Sequence, residues 1–176
     1  MLRISIMHKV TVPQRKNHRV GVFVDVSNMY HSAKNLYKAR VNFRELLKLV
    51  TANRQLVRAI AYVIKSDTKE EKAFFDALEK AGFELKSKDL QIFPGGMKKG
   101  DWDVAIAIDA ITLSKLVDVV VIVSGDGDYE PLVDYLKFNG TIVEVAGFNR
   151  STSSRLIEAA NNFLDLEEVK DKVLLK

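Results

Sequence analysis

Four stretches, VGVFVD (20–25), VRAIAYVI (57–64), VVVIVS (119–124) and TIVEVAG (141–147), are of strand length and rich in valine and isoleucine, with apolar residues at consecutive positions. A strand with one wet face alternates apolar and polar residues. Consecutive apolar residues instead mark strands covered by helices on both faces, the situation of a parallel sheet. The intervening segments have helical periodicity. One spans about 30–50, with Leu36, Phe43, Leu46, Leu47 and Val50 on its apolar stripe; a second spans 69–81, with Phe74, Phe75 and Leu78, and stops at Gly82. Further helices are predicted over about 101–117, from Tyr129 to Phe138 ahead of Gly140, and from Ser151 to about Leu164, with a weaker strand inside FELKSKDLQIF (83–93). This alternation predicts an α/β fold, a doubly wound open sheet that is mainly parallel.

With 176 residues, 47% of them hydrophobic, the chain suits one domain with a sizeable core. We divide it into a basic arm (1–18), a body (19–164) and a helical tail (165–176) that either extends the last helix or frays. Arg3, Lys9, Arg15, Lys16 and Arg19 hold the first 19 residues positive with no acid among them, leaving 22 of the 27 basic groups against all 23 acidic ones in the rest. Such an arm suits contact with a phosphate backbone, and equally a solvated leader. The absence of cysteine excludes disulfides, thiol catalysis and thiolate zinc sites, and makes a cytoplasmic setting the expectation. No apolar run approaches the ~20 residues of a membrane-spanning helix, so no membrane partner is expected. An apolar face on the last helix or tail leaves a homodimer open, though no heptad run supports a coiled coil.

In a parallel sheet the groups that follow the carboxyl ends of strands gather along one edge, where ligands bind. Asp25 follows the first strand, with Ser27 and Asn28 behind it; Ser124, Gly125, Asp126, Gly127 and Asp128 follow the fourth; Asn149, Arg150 and Ser151 follow the fifth. Asp101 and Asp103 head the third helix in KKGDWDVAIAIDA, and Asp109 lies further along it. Each has a plain structural use. Asp25, Asp101 and Asp103 suit helix caps, and Gly125 and Gly127 suit a tight turn. Together, three separate segments deliver carboxylates to one crevice, where they repel one another unless a proton or cation intervenes.

Oxygen-only ligands point to a hard ion, Mg²⁺ or Mn²⁺. Two of the three histidines, His8 and His18, fall in the arm and His31 sits on a helix beside Lys34 and Lys38, so zinc fits less well. An acidic magnesium site suggests phosphoryl chemistry. The GDGD turn lacks the G-x-x-x-x-G-K-[ST] of a P-loop, and no G-x-G-x-x-G dinucleotide fingerprint is present. Other aspartate-based metal folds each fail at one position: DVS replaces the D-x-D of a haloacid-dehalogenase-type phosphatase, and Met29 replaces the second serine of a von Willebrand A-type site.

VFVDVSNMY, KKGDWDVAIAIDA and VIVSGDGDYEPLVDYL, in that order, resemble the NYN domain and within it the LabA-like branch, over roughly residues 19–164. The resemblance implies a three-layer α/β/α sandwich of the PIN/NYN-like, Rossmann-like type and a metal-dependent nuclease site, most often acting on RNA. It implies that Asp25, Asp103, Asp126 and Asp128 are the catalytic, metal-binding carboxylates, with Asp128 on a second ion or orienting the attacking water. Asn28 and Ser124 would hold those carboxylates in place. Six residues of ideal helix rotate by about 600°, so Asp103 and Asp109 share a face poorly and Asp109 is read as supporting. For substrate, Lys98 and Lys99 in the glycine-rich loop PGGMKKG, Arg150 and Ser151 at a helix start, and Lys34 and Lys38 beside Tyr30 and Tyr37 are the candidates. The rival reading is an NYN-like module that binds RNA or a protein and regulates with little or no cleavage.

Overall fold

The computed structural model describes residues 12–66, 68–92, 94, 95, 98, 99 and 101–175, with backbone alone at 91, 92, 98 and 99. Residues 1–11 of the basic arm and the side chains of Lys98 and Lys99 therefore lie outside the described residues.

The chain runs β1 (Arg19–Asp25), α1 (Val26–Tyr37), β2 (Arg40–Val41), α2 (Phe43–Thr51), β3 (Gln55–Lys65), α3 (Lys69–Ala81), β4 (Glu84–Asp89), β5 (Gln91–Ile92), β6 (Lys98–Lys99), α4 (Asp103–Ser114), β7 (Val119–Val123), α5 (Glu130–Phe138), β8 (Ile142–Gly147), α6 (Ser154–Ala159), β9 (Asn162–Asp165), α7 (Lys170–Val173) and β10 (Leu174–Leu175). Six strands form the main sheet in the order β4-β3-β1-β7-β8-β9, and every neighbouring pair in it is parallel. Numbered by appearance in the chain, they run 3-2-1-4-5-6. The order reverses between β1 and β7, the position where an open α/β sheet leaves a crevice at its carboxyl edge.

Consecutive residues of the inner strands face opposite helical layers. Val119, Val121 and Val123 pack with α1, α2 and α3, while Val120 and Ile122 pack with α4, α5 and α6. Each is at most 1% exposed, so the unbroken apolar run in the sequence is two cores read in alternation. The result is a three-layer α/β/α sandwich with an all-parallel central sheet, as expected.

Three boundaries differ from the sequence reading. The single helix expected over 30–50 is two. Lys38 takes a left-handed conformation (φ 53°) to end α1, and the Asn42 side chain accepts the Glu45 N–H at 3.3 Å to start α2. Between them β2 pairs antiparallel with β10, Leu174 opposite Val41, so the C-terminal residues return to α2 instead of extending a helix. The helix expected from Ser151 is confined to Ser154–Ala159, and Asn162–Asp165 forms a sixth parallel strand beside β8.

At the opposite edge of the sheet, Arg54 donates from both terminal nitrogens to Glu144 at 3.1 and 2.8 Å, with side chains 1% and 8% exposed. Gln14 and Asn162 also donate to that carboxylate, and Asn162 holds Val12 through both its amide groups. Four donor groups make this a fully bonded buried charge, and they tie the last residues of the arm to β8 and β9.

Candidate active site

Asp25 ends β1 and caps α1, its Oδ1 accepting the Asn28 N–H at 3.0 Å. The structural use and the cleft position coincide, because capping spends one oxygen. The other, Oδ2, faces the Tyr129 hydroxyl at 3.4 Å. That hydroxyl also lies 3.0 Å from Asp103 Oδ1 at the first turn of α4. Asn28 then reaches across the crevice, its Oδ1 accepting the Gly125 N–H at 2.9 Å. Asn28 thus fixes the turn after β7 relative to the first turn of α1.

Within that turn the buried Ser124 hydroxyl accepts the Asp126 N–H at 3.2 Å, and Asp126 Oδ1 accepts the Asp128 N–H at 3.0 Å. The glycines are required by close approach. A Cβ on Gly125 would meet the Ser151 carbonyl and sit 3.0 Å from Thr152 Cα, while the Gly125 carbonyl accepts the Ser153 N–H at 2.9 Å. A Cβ on Gly127 would lie 2.9 Å from Ser153 Oγ. The acidic turn is therefore seated on the segment leading into α6.

Asp103, Asp126 and Asp128 each place one carboxylate oxygen within 4.8 Å of the others. Asp103 and Asp126 join Asp25 around a cleft of about 360 Å³, whose other walls include Asn28, His31, Asn35, Trp102 and Ser151, while Asp128 is exposed. Burial raises the Asp25 carboxyl above its ordinary pKa and repulsion from Asp103 and Asp126 adds to it, against the bond from Asn28. Burial likewise raises Asp103; the Tyr129 bond offsets part of this, while Asp126, Asp101 and Asp128 repel it. Burial, with the negative field of Asp25 and Asp103, keeps the Tyr129 phenol protonated and so a donor. Crowded acids with oxygen partners fit a hard divalent cation, which would relieve repulsion the hydrogen bonds leave uncompensated.

Asp109 lies elsewhere. Burial would raise its carboxyl, but hydrogen bonds from Lys86 and Tyr62, both 2.6 Å, outweigh that and hold it low. Lys86 comes from β4 and Tyr62 from β3, so Asp109 fastens α4 to the sheet. Trp102 is positioned similarly: its Nε1 donates to the Val63 carbonyl at 3.1 Å, its ring meets Tyr62 edge-on, and Lys88 sits 4.5 Å over it. Arg150 pairs with Glu167 at 3.1 Å and Tyr37 at 3.0 Å, and the Ser151 N–H is spent on the Phe148 carbonyl. Ser151 borders the cleft. Lys34 lies against Tyr30, 5.4 Å from the ring centre, and the Lys38 ammonium reaches the Asn35 carbonyl at 3.5 Å. His31, grouped with those lysines in the sequence, lines the acidic cleft instead.

Tyr129 is the site residue that the sequence reading missed. Its signal was position alone, directly after Asp128 in GDGDY.

This geometry accompanies a match to the NYN domain over residues 19–167. The chain belongs to the NYN domain family. NYN domains form part of the PIN-like nuclease superfamily. Among relatives, the low amplitude and bright protein LabA of Synechococcus elongatus is 27% identical over 162 residues, covering 86% of each chain. A crystal structure of a protein of unknown function from Vibrio parahaemolyticus superposes with a TM-score of 0.83 at 33% identity, covering 93% of this chain and all of the other. Among the described residues no helix is long and apolar enough to cross a membrane.

Proposed function

We propose that this NYN domain is a metal-dependent nuclease that hydrolyses phosphodiester bonds in RNA, with Mg²⁺ or Mn²⁺ held by Asp103, Asp126 and Asp128 and by Asp25 beside them. The observation that carries the reading is the convergence of those carboxylates, from three chain segments, at the switch point of the sheet. A divalent cation bound there would make water a better nucleophile at neutral pH and neutralise charge on the phosphate oxygens.

The chain's own groups supply the rest. Asp25 and Asp103 are held apart and oriented by the one hydroxyl between them, while Asn28 and Ser124 keep the Asp126 turn in register. Asp128 is exposed at the rim and suits the role of orienting the attacking water. Water adds at phosphorus, one P–O ester bond breaks, and the departing alkoxide takes up a proton. Among the described residues of the cleft wall, His31 is the one basic side chain and is suited to the phosphate or the departing group.

The experiment is cleavage of end-labelled single-stranded RNA and DNA with Mg²⁺, Mn²⁺ or EDTA, comparing the wild type with Asp126→Asn. RNA cutting that needs the cation and is lost in the folded variant is the expected result. Failure of the folded wild type to cut either polymer overturns the proposal and favours the regulatory, non-cleaving reading.

A further inference from the structure

Helix α1 divides the carboxyl edge of the sheet into two hollows. Asn28, His31 and Asn35, spaced i, i+3 and i+7, line the acidic cleft. Val26 and Tyr30, on the adjoining face, line a second cavity of about 490 Å³, and Ser27 at the first turn borders both. A second link joins them: Trp102 of the cleft donates to the carbonyl of Val63, which lines the cavity. The two hollows are therefore neighbours that share a wall at the first turn of α1.

The second cavity differs in chemistry. Its walls include Val41, Phe43 and Phe74, and the Phe43 and Phe74 rings meet edge-on at 5.8 Å. Phe74 is 37% exposed and Tyr30 44% exposed, so aromatic surface lines an opening to solvent. Polar groups stand at the border and differ in sign. On the α1 and β2 side are Arg40, an exposed cation with no ion pair among the described residues, and Lys34, whose ammonium lies against Tyr30. On the α3 side is the exposed Glu70; its neighbour Glu71 turns to Ser66, accepting the Ser66 N–H at 2.5 Å and hydroxyl at 2.6 Å.

From this arrangement we infer that the second cavity is a nucleobase subsite, taking an unstacked base of a single-stranded RNA whose neighbouring phosphodiester lies in the acidic cleft. The inference rests on the function proposed for that cleft. A base is a flat ring with two apolar faces and a polar edge. The aromatic walls accept the faces, Glu70 accepts from exocyclic amino groups, and Arg40 and Lys34 meet the flanking phosphates. A lipid chain or an aliphatic side chain would leave the charged border unmatched. A duplex keeps its bases stacked and cannot fill the cavity, so the subsite selects single strands.

The test uses the full chain carrying Asp126→Asn, so that binding is read without cleavage, and fluorescein-labelled RNA decamers of which each carries one abasic nucleotide at a different position. Anisotropy titrations are expected to show about a tenfold loss of affinity at one position or two adjacent ones, the scale of one stacked base, and weaker binding still for the fully paired duplex. Phe74→Ser and Tyr30→Ala, both at partly exposed positions, are each expected to weaken intact RNA by a similar factor and to leave the abasic decamer at that position unchanged. A flat abasic scan with RNA still bound, or equal losses for intact and abasic RNA in both variants, overturns the subsite and leaves the nuclease reading standing. Folded protein that neither binds nor cuts RNA overturns both.

Discussion

The Tyr129 hydroxyl stands 3.0 Å from Asp103 Oδ1, joining the turn after β7 to the first turn of α4. The same oxygen is 3.4 Å from Asp25 Oδ2, so a single donor serves two carboxylates that repel each other.

Tyr129→Phe removes that donor with little change in volume. The ring stays buried, at 1% exposure in the parent, so the fold is expected to persist. Loss of an outer partner to metal-binding groups typically costs 10–100-fold in affinity. Calorimetric titration with Mn²⁺ is expected to show a drop of that order. Unchanged affinity would remove Tyr129 from the site.

Asp103→Asn acts oppositely on stability and function. Asp103 is repelled by Asp126, Asp101 and Asp128, so neutralising it relieves the metal-free protein. In EDTA at pH 7.5 the variant is expected to melt about 2 °C above the wild type, since ~1 kcal/mol moves a domain of this size by a few degrees. Added Mg²⁺ or Mn²⁺ should stabilise the wild type and not the variant. A variant less stable than the parent in EDTA would mean that the acids are compensated without a cation.

The strands were readable because burial on both faces leaves a one-dimensional signature, as in Val119–Val123. The Asn162–Asp165 strand was not, because its four residues are only half-buried and its identity comes from pairing with β8, 18 residues away for Asn162 and Glu144. The break between α1 and α2 has a local signal, the Asn42 cap on Glu45, that the sequence reading passed over, whereas the pairing of β2 with β10 brings in a partner from the C-terminus that no local window contains. Within the site, the acids announce themselves through type and spacing. What separates Asp109 from the others is Lys86 on β4 and Tyr62 on β3, placed there by the sheet order.

A pH prediction concerns Asp118, whose carboxylate accepts the Arg19 N–H at 2.7 Å and its guanidinium at 3.0 Å. Those bonds lower its pKa to about 2. A lowered acid stabilises the fold above its unfolded pKa near 3.9 and loses that contribution as the pH falls toward 2. Both side chains are substantially exposed, so the contribution is about 0.5 kcal/mol. Asp118→Asn should therefore be slightly less stable than the wild type at pH 6 in urea titrations, with the gap closing by about pH 2. A gap that is constant with pH would assign the effect to the neutral hydrogen bonds.

Glu144→Ala leaves the Arg54 guanidinium buried without its carboxylate. Breaking such a pair from one side costs about 3–5 kcal/mol. Urea unfolding should show a loss of unfolding free energy of that size, while Mn²⁺ affinity of the folded fraction stays unchanged because the pair sits at the opposite edge of the sheet.

Central pairing of β1 with β7 sets Val20 against Val119 and Phe23 against Ile122. The register spans 99 residues, and only when it closes does Asp25 meet Asp126 across the crevice. A chain growing from its N-terminus would thus carry Asp25 through the next 100 residues without owning a site. Asp126 and Asp128 arrive later, and their turn leans on the Ser151–Ser153 segment that follows β8. Late, non-local closure of this kind makes the acidic cleft a property of the folded whole. Fragments cut short of β8 would lack the segment on which the acidic turn is seated.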